Sequence, residues 1–369
     1  MSDNPLFKKV AIIGVGLIGG SLGMAIIRKN IASEVIGLGR NPGLLELAVE
    51  YRSIHRYSTD FSAVSGCDLI IIATPVGTTL GILADFAQYI SPGAIVTDVG
   101  STKAAIVEGS APVLPGGVVF IGGHPMAGSE RDGIKGADPY LFENAFYVLT
   151  PTPDTPAHCI DLMTGLVEGV GARPVIMNPA EHDLSVAVVS HLPHLVAASL
   201  VNCLFDMPGG EKKSVLAAGG FRDTTRIAAG SPEMWRDIFL TNRSCILKAL
   251  DCFTGRLQEF QKAVEDRDEQ SIYELLGRAR NLKNGMPDRR KGYLPALWEI
   301  VATVPDRPGI IGEMAGILGR SGINISDIEI LRVREGEGGT IRLGFASESE
   351  QESAVHLLSQ TGIPSQKRL

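Results

Sequence analysis

Short apolar runs alternate with helical apolar patterns along the first half of the chain. From Lys8 to about Ile176, each run is followed by a segment whose apolar residues recur at helical spacing. This alternation is typical of an α/β domain with a doubly wound sheet. The pattern predicts strands at Lys8–Val15, Val35–Leu38, Leu69–Thr74, Ala94–Val99, Val118–Ile121, Phe146–Thr150 and Arg173–Met177. We assign residues 1–178 to this domain.

The pattern changes twice in the second half. Residues 179–285 show helical spacing with almost no strand signal, which predicts an all-helical domain. Helices this apolar usually pack against another subunit or domain, so we expect a homodimer. A polar linker with a proline and a charge cluster follows at 286–296. Residues 297–369 then follow a β-α-β-β-α order with little room for a final strand.

One stretch, Leu184–Phe205, carries no Asp, Glu, Lys or Arg and is long enough to span a bilayer. It also contains His191, Pro193 and His194. Because polar side chains are costly in lipid, these residues argue against a membrane span. We therefore expect a helix buried inside the protein.

The amino-acid composition limits which classes of binding partner and which cellular compartment we expect. A formal net charge of −7 argues against nonspecific binding to nucleic acid or to anionic membranes. The five cysteines are scattered and include no C-x-x-C pair, which indicates reduced thiols in a cytoplasmic protein. The stretch Met1–Lys9 has no apolar segment, so we expect no secretory signal.

The first predicted strand ends in the pattern Gly14-x-Gly16-x-x-Gly19, and a helical pattern follows. Gly14 permits a tight turn, Gly16 lets the backbone approach phosphates, and Gly19 lets the helix pack closely on the strand. Leu17 and Ile18 open the helix, whose free N–H groups face the anion. The pattern indicates a Rossmann-type dinucleotide site. The alternative is a glycine-rich turn in another kind of α/β protein.

The residues at the adenosine ribose end of this site do not decide between NAD⁺ and NADP⁺ as the cofactor. NAD-selective folds carry an acidic residue after the second strand, which binds the ribose 2′-hydroxyl. Here the sequence is Gly37-Leu-Gly-Arg-Asn41, with Arg40 and no carboxylate. An arginine facing a 2′-phosphate would favour NADP⁺, whereas an arginine stacked on adenine would allow both NAD⁺ and NADP⁺.

Two polar clusters follow predicted strands. Ser101 stands in Asp98-Val-Gly-Ser-Thr-Lys103, beyond a strand end where α/β sheets bind ligands. Its alternative role is to cap the next helix. His124 stands in Gly122-Gly-His-Pro-Met-Ala-Gly128, on a predicted loop, and an imidazole is a natural proton acceptor near pH 7.

A third cluster lies in the helical region. Asp183, Ser190 and His194 are spaced so that they share one stripe of a helix. Downstream, Arg226 would bind a substrate carboxylate in bidentate fashion, or alternatively pair with Asp223. Histidines at i and i+3 can ligate a metal, but no cysteine or acidic pair completes a shell here, so we expect no metal.

Taken together, these motifs resemble the prephenate/arogenate dehydrogenases of tyrosine biosynthesis. The matching motifs are Gly14-Val-Gly-Leu-Ile-Gly-Gly-Ser21, Ala73-Thr-Pro-Val76, Asp98-Val-Gly-Ser-Thr-Lys103, Gly123-His-Pro-Met-Ala-Gly-Ser-Glu130, Ser190-His-Leu-Pro-His194 and Gly220-Phe-Arg-Asp-Thr-Thr-Arg-Ile227. The final unit, with Val304-Pro-Asp-Arg-Pro-Gly-Ile310 and Gly322-Ile-Asn-Ile325, resembles an ACT domain, a ferredoxin-like module that binds amino acids.

The resemblance implies a reaction and its participants. Prephenate would be oxidised and decarboxylated to 4-hydroxyphenylpyruvate with hydride transfer to NAD(P)⁺; arogenate would give tyrosine directly. By resemblance, His124 accepts a hydrogen bond from the C4 hydroxyl of the substrate and Ser101 orients it, while Arg226 and His194 bind its carboxylate or hydroxyl groups.

The resemblance also implies residues around this centre. Glu130, Asp223 and Arg226 form an ionic gate at the mouth of the site. His182, Ser190, Gly219 and Trp235 line its wall, although Trp235 has the alternative role of a core aromatic. Thr74, Pro75 and Val76 join the glycine turn in binding the cofactor. Tyrosine is the expected effector, with Asp306, Gly309 and Asn324 as hypothetical contacts.

Two rival functions remain. Hydroxyacid dehydrogenases with the same cofactor fold use a lysine on the first long helix of the second domain, but this chain has no lysine between Lys135 and Lys212. A non-catalytic amino-acid sensor would retain the ACT-like unit. The set Ser101, His124 and Arg226 argues against such a loss of catalysis.

Overall fold

The computed structural model describes residues 4–128, 131, 133–286, 298–305, 307–331 and 339–367. Within these ranges the chain divides into two compact units, Met1–Lys283 and Asn284–Leu369. Glu130, Asp306 and nearly all of the predicted linker lie outside the described residues.

An eight-stranded sheet forms the centre of the first unit. Its strands are β1 (Phe7–Ile13), β2 (Ala32–Leu38), β3 (Arg56–Ser58), β4 (Leu69–Ile72), β5 (Ile95–Asp98), β6 (Val119–Pro125), β7 (Phe146–Thr150) and β8 (Arg173–Ile176). Their order is β3-β2-β1-β4-β5-β6-β7-β8, and all neighbours are parallel except β6 and β7. Every strand predicted for this domain is present. The short β3 is not among the predictions, because three residues carry too little pattern.

Helices cover both faces of this sheet. They are α1 (Leu17–Arg28), α2 (Pro42–Glu50), α3 (Thr79–Phe86), α4 (Ala104–Ser110) and α5 (Ala157–Gly169). One face packs on α1 and α5 around Leu22 and Met163, and the other packs on α3 and α4 around Phe86 and Val107. Because both faces are buried, the strands are nearly continuous apolar runs.

The carboxyl ends of the parallel strands meet at one edge of the sheet. The register pairs Ile13 with Leu38 and with Ile72, and Ile72 with Asp98. The glycine turn, Arg40, the Thr74 segment and Ser101 each follow one of these strand ends. Ligands of open α/β sheets bind beyond this edge.

The rest of the first unit is helical, as predicted. Its helices are α6 (Pro179–Val186), α7 (Leu192–Asp206), α8 (Gly210–Ser214), α9 (Gly219–Thr225), α10 (Pro232–Thr241), α11 (Arg243–Glu265) and α12 (Glu269–Gly285). A π-helical segment, Ala187–His191, joins α6 to α7, and a 3₁₀ turn, Arg226–Ala229, follows α9.

The apolar helical stretch is less buried than the sequence predicts. Pro179–Asp206 has the length and hydropathy of a membrane span, yet only 28% of its most apolar window is buried. Val188 and Phe205 are more than half exposed, and Val189 is 68% exposed. The expectation of a helix buried inside the chain is therefore wrong for a single copy. An open apolar face of this kind is typical of an interaction surface.

The second unit has the elements β9 (Trp298–Val304), α13 (Ile310–Arg320), β10 (Asp327–Leu331), β11 (Gly339–Phe345), α14 (Glu348–Gln360) and β12 (Ser365–Lys367). Its sheet has the antiparallel order β10-β11-β9-β12. The expectation of too little room for a final strand is wrong, because the short β12 pairs with β9 and completes a β-α-β-β-α-β order. The Rossmann, helical and ferredoxin-like parts of the predicted fold class are confirmed.

Two of the hypothetical effector contacts lie far apart in this unit. Gly309 precedes α13 and Asn324 follows it. This helix has 11 residues, and at roughly 1.5 Å per residue it is about 16 Å long. Gly309 and Asn324 therefore lie beyond opposite ends of this helix. The third, Asp306, lies outside the described residues.

Candidate active site at the carboxyl edge of the sheet

The turn between β1 and α1 has the geometry of a pyrophosphate site. Gly14 has a φ of +92°, a backbone conformation that favours glycine. A Cβ on Gly19 would lie 2.2 Å from the Gly14 carbonyl oxygen, so only glycine permits this close packing. A Cβ on Gly16 would meet nothing within 4 Å, and no side chain caps the first turn of α1, which holds Leu17 and Ile18. Open space beside uncapped helix N–H groups fits a dinucleotide pyrophosphate.

Two other strand ends border this turn. Arg40 is exposed after β2 and directly follows Gly39, which stands at the position where NAD-selective folds carry an acid. After β4, Thr74, Pro75 and Val76 lead into a short turn, which is closed by a hydrogen bond of 2.7 Å from Thr78 Oγ1 to the Pro75 carbonyl. Pro75 is exposed at this edge, whereas Val76 is buried in the core.

A buried ion pair fixes the loop that leaves β5 and joins it to the neighbouring strand β6. Asp98, the last residue of β5, pairs with Lys103, and both side chains are almost completely buried. Asp98 Oδ2 also accepts from the backbone N–H of Gly100 at 2.9 Å, and Oδ1 accepts from that of Gly123 at 3.1 Å. Burial lowers the pKa of Lys103, and the Asp98 carboxylate opposes that shift. One carboxylate thus holds both the loop after β5 and the Gly123 segment of β6 in place.

His124 lies within β6, where it pairs with Val148 of β7. The expectation of a loop histidine between flexible glycines is therefore wrong. A Cβ on Gly123 would lie 2.5 Å from the Asp98 carbonyl oxygen, so this glycine allows close packing rather than flexibility. The sheet itself holds the imidazole at the edge.

His124 faces a cavity of about 220 Å³ between the sheet edge and the helices. The walls from the sheet side are Ser101 and the segment 125–128. The helical side contributes Ser190, His191, Met234, Trp235 and Ile238. Among the predicted site residues, the fold therefore brings Ser101, His124, Ser190 and Trp235 together around one space.

A chain of buried hydrogen bonds runs from His124 into the helical part. His124 Nδ1 lies 2.8 Å from His182 Nε2, and His182 Nδ1 lies 2.8 Å from Asp183 Oδ1. The Asp183 carboxylate also accepts from the backbone N–H groups of Lys103 at 2.7 Å and Ala104 at 2.9 Å, which caps α4. Ser101 is therefore not needed as the cap of α4, because Asp183 takes that role.

The π-helical segment brings His191 to the cavity. Pro193 lacks an N–H and its ring crowds the preceding turn, which fits the widened helix just before it. The Asn242 side-chain nitrogen donates to the Asp183 carbonyl at 2.7 Å and lies 3.2 Å from His191 Nδ1. His191 Nδ1 accepts this second bond, so a neutral His191 carries its proton on Nε2.

His194 stacks on Trp235, with ring centroids 3.6 Å apart. Its Nδ1 is buried, and no described atom hydrogen-bonds to it. Leaving a buried polar group unpaired costs about 1–3 kcal/mol, a cost that a bound polar ligand would remove. The ring pair stands beside the cavity, because Trp235 is part of its wall.

The remaining predicted residues stand apart from this cavity. Arg226 begins the 3₁₀ turn after α9, and Gly219 and Asp223 belong to α9 itself; all three are exposed. None of them lines the 220 Å³ cavity within the described chain. The predicted meeting of Arg226 with His124 across one cleft is not seen at this cavity, and Glu130 lies outside the described residues.

The pKa values of three histidines at the site are lowered, which favours their neutral forms. Burial, together with His182 and Lys103, holds the pKa of His124 well below its usual value. Burial also lowers the pKa of His191 to about 4 and lowers that of His194. A neutral imidazole can accept a proton, whereas an imidazolium cannot.

Sequence reasoning assigned no role to Lys103, His191 or Asn242. A lysine directly after a strand end, in a motif that also holds Asp98, is a signal that could have indicated the ion pair. No local pattern signals Asn242, because its partners lie on other helices. Within the described ranges, no group of three His, Cys, Asp or Glu side chains could hold a metal ion.

Three family models match the chain. Residues 22–176 match the nucleotide-binding domain of prephenate dehydrogenase, 178–278 match its dimerization domain, and 298–355 match the ACT domain. These matches cover each part of the predicted architecture.

Known proteins agree with these models. A prephenate dehydrogenase of Bacillus subtilis is 38% identical over 95% of this chain and 95% of its own. A Synechocystis arogenate dehydrogenase structure has a TM-score of 0.67 and 34% identity, covering 75% of this chain and 99% of that one. A structure of prephenate dehydrogenase from A. aeolicus in complex with hydroxyphenyl propionate and NAD⁺ has a TM-score of 0.68 and 33% identity. The match covers 75% of this chain and 97% of that one. The resemblance inferred from the motifs is confirmed, and the chain belongs to the prephenate dehydrogenase family.

Proposed function

We propose that this chain oxidises and decarboxylates prephenate to 4-hydroxyphenylpyruvate, with hydride transfer to NAD⁺ or NADP⁺. The observation that carries the proposal is a neutral, strand-held His124 beside Ser101 in a small cavity at the edge that holds the dinucleotide turn. Family membership makes the chain a nicotinamide-dependent dehydrogenase of aromatic amino-acid biosynthesis. Arogenate is the alternative substrate, since one similar structure is an arogenate dehydrogenase.

The site residues have distinct roles in this reaction. A bound nicotinamide dinucleotide supplies the hydride acceptor. His124 accepts the proton of the C4 hydroxyl as that carbon becomes a carbonyl, and Ser101 orients the hydroxyl. The ring then becomes aromatic as the C1 carboxylate leaves as CO₂, and His124 returns the proton to the new phenol oxygen. His194 and Ser190 would bind polar groups of the substrate, with Trp235 as a wall.

The cofactor choice depends on Arg40. Gly39 stands at the position of the acid that selects NAD⁺, so no carboxylate is present there. The guanidinium of Arg40 is exposed and could approach a 2′-phosphate. We therefore infer that the enzyme accepts NADP⁺, either in preference to NAD⁺ or alongside it.

Steady-state kinetics with prephenate and arogenate, each crossed with NAD⁺ and NADP⁺, tests this proposal. Reduction of the cofactor at 340 nm with prephenate is the expected result. Turnover with arogenate alone would reassign the substrate. No turnover with either substrate would favour the non-catalytic amino-acid sensor.

An Arg226→Ala variant should raise KM for prephenate far more than it lowers kcat. A bidentate guanidinium that holds a carboxylate equally in the ground and transition states contributes to binding rather than to the chemical step. Parallel KM and kcat measurements check this, with Arg222→Ala, at an exposed arginine on the preceding helix α9, as the matched control. An unchanged KM would move carboxylate recognition to other residues, of which His194 is the first candidate.

The chain also has proposed macromolecular and regulatory partners. The half-exposed apolar face of α6 and α7, in the region matched to a dimerization domain, supports a homodimer. The ACT domain supports regulation by an amino acid, with tyrosine, the pathway product, as the proposed effector. A cytoplasmic location follows from the reduced cysteines and the biosynthetic role.

Removing residues 297–369 should leave catalysis intact and abolish tyrosine inhibition that acts through the ACT domain. The first unit holds the whole cavity, and the similar A. aeolicus structure covers 75% of this chain while 97% of its own length is matched. Initial rates with and without tyrosine, for the full and shortened chains, check this. Equal tyrosine sensitivity in both would place the inhibition at the active site.

A further inference from the structure

The hydrogen-bond chain from Asp183 determines which nitrogen of each histidine carries a proton. Asp183 accepts from the backbone N–H groups of Lys103 and Ala104 at the start of α4, so its carboxylate is occupied by donors. A helix N-terminus further stabilises the anion. An ionised carboxylate only accepts hydrogen bonds. The atom of His182 that faces it, Nδ1 at 2.8 Å, must therefore carry a hydrogen.

The constraint passes from one ring to the next. A neutral His182 with its hydrogen on Nδ1 has a bare Nε2, which can only accept. The partner of that Nε2 is His124 Nδ1 at 2.8 Å, so Nδ1 of His124 is the donor. The neutral His124 then has its bare nitrogen at Nε2, the ring position not used by His182. The reverse arrangement would require either a protonated Asp183 facing two backbone N–H donors, or a cationic His182 that donates from Nε2 to His124.

We infer that His182 and Asp183 are positioning residues that hold His124 in the tautomer with an unprotonated Nε2 facing the cavity. The inference rests on the proposed role of His124 as proton acceptor, because only a bare Nε2 can take the proton of the substrate hydroxyl. All three side chains are buried, so water cannot exchange the tautomers freely.

The same chain stabilises the state that forms during turnover. When His124 takes the proton, its ring becomes cationic inside a site that disfavours charge, as the lowered pKa of the free ring indicates. His124 Nδ1–H then donates to His182, which is itself polarised by the Asp183 carboxylate. A neutral acceptor at His182 would offset part of the cost of the buried cation, whereas a second positive charge there would add to that cost.

The tautomer can be read directly from nitrogen chemical shifts. The experiment uses the full-length enzyme labelled with ¹⁵N-histidine. The chain has seven histidines, and the signals of His124 are those that disappear from the spectrum of the His124→Asn variant. We expect a protonated Nδ1 and an unprotonated Nε2 for His124 at neutral pH. A protonated Nε2 in the resting enzyme would overturn the inference. Because the measurement needs no substrate, its outcome is independent of whether the proposed reaction is correct.

Variants of His182 test whether this tautomer matters for rate. His182→Phe keeps a ring but removes the acceptor, and loss of the orienting partner in a comparable arrangement costs up to about 10⁴-fold in kcat. We expect a drop of roughly 10²–10⁴-fold, an unchanged dinucleotide KM, and His124 shifts that indicate mixed tautomers. His182→Gln, whose amide oxygen can accept from His124 Nδ1, should restore part of kcat.

The matched control is His158→Phe, the same substitution at an exposed position of α5, which should behave as wild type. Circular dichroism of each variant confirms that it is folded. A folded His182→Phe enzyme with wild-type kcat and unchanged His124 shifts would overturn the inference. If His182→Phe does not fold, the nitrogen shifts of the wild type and His182→Gln decide the question.

Discussion

A His124→Asn variant should bind the dinucleotide as tightly as wild type and lose roughly 10²–10⁴-fold in kcat. Asparagine has similar size and can hydrogen-bond the substrate hydroxyl, but its amide cannot accept a proton near neutral pH. The dinucleotide turn joins β1 to α1, whereas His124 lies on β6, so the substitution should not change cofactor binding. Single-turnover and steady-state rates measure the loss, and a fluorescence titration with reduced cofactor measures the binding.

His158→Asn is the matched control for this variant, because His158 is exposed on α5 and belongs to no part of the site. It should retain full kcat. Wild-type turnover in His124→Asn would remove His124 from its role as proton acceptor. Loss of cofactor binding in His124→Asn would instead indicate that the ring supports the dinucleotide site.

An Asp98→Asn variant should lower the free energy of unfolding of the first unit by about 3–5 kcal/mol. The substitution leaves Lys103 buried without its counter-ion, and a lone buried cation must either remain unpaired or lose its proton. Chemical denaturation followed by tryptophan fluorescence measures the change. The chain has two tryptophans, and a Trp298→Phe background leaves Trp235 as the reporter of the first unit.

The double variant Asp98→Asn/Lys103→Met separates the charge from the packing. With both charges of this pair removed, it should recover much of the lost stability, since replacing a buried ion pair by uncharged groups is often close to neutral. An Asp98→Asn enzyme as stable as wild type would mean that Lys103 finds another partner, and the only other carboxylate acting on its pKa within the described chain is that of Asp183.

Most of the nucleotide-binding half could be predicted because its signals are local. Apolar runs, a glycine turn and a following helix each occupy a few neighbouring residues, and burial on both faces makes the strands obvious. The strand β6 is an instructive exception. Glycines beside His124 resemble a flexible loop in sequence, but they allow close packing against Asp98 and against Thr150 of β7.

The site itself depends on contacts that no local pattern contains. His124 and His182 are 58 positions apart in the chain, and their bond exists only because α6 packs against α4. The helical stripe predicted from Asp183, Ser190 and His194 assumes an ideal helix. The π-helical segment shifts the phase by one residue, which brings His191 into the wall as well.

The antiparallel pairing of β6 with β7 also sets limits on insertions and deletions. Along β6 the side chains alternate between faces, so Gly123 packs on Asp98 while His124 points into the cavity. Adding or deleting one residue between Val119 and His124 would turn the imidazole to the opposite side of the sheet. The length of this strand is therefore fixed by the need to place the imidazole in the cavity.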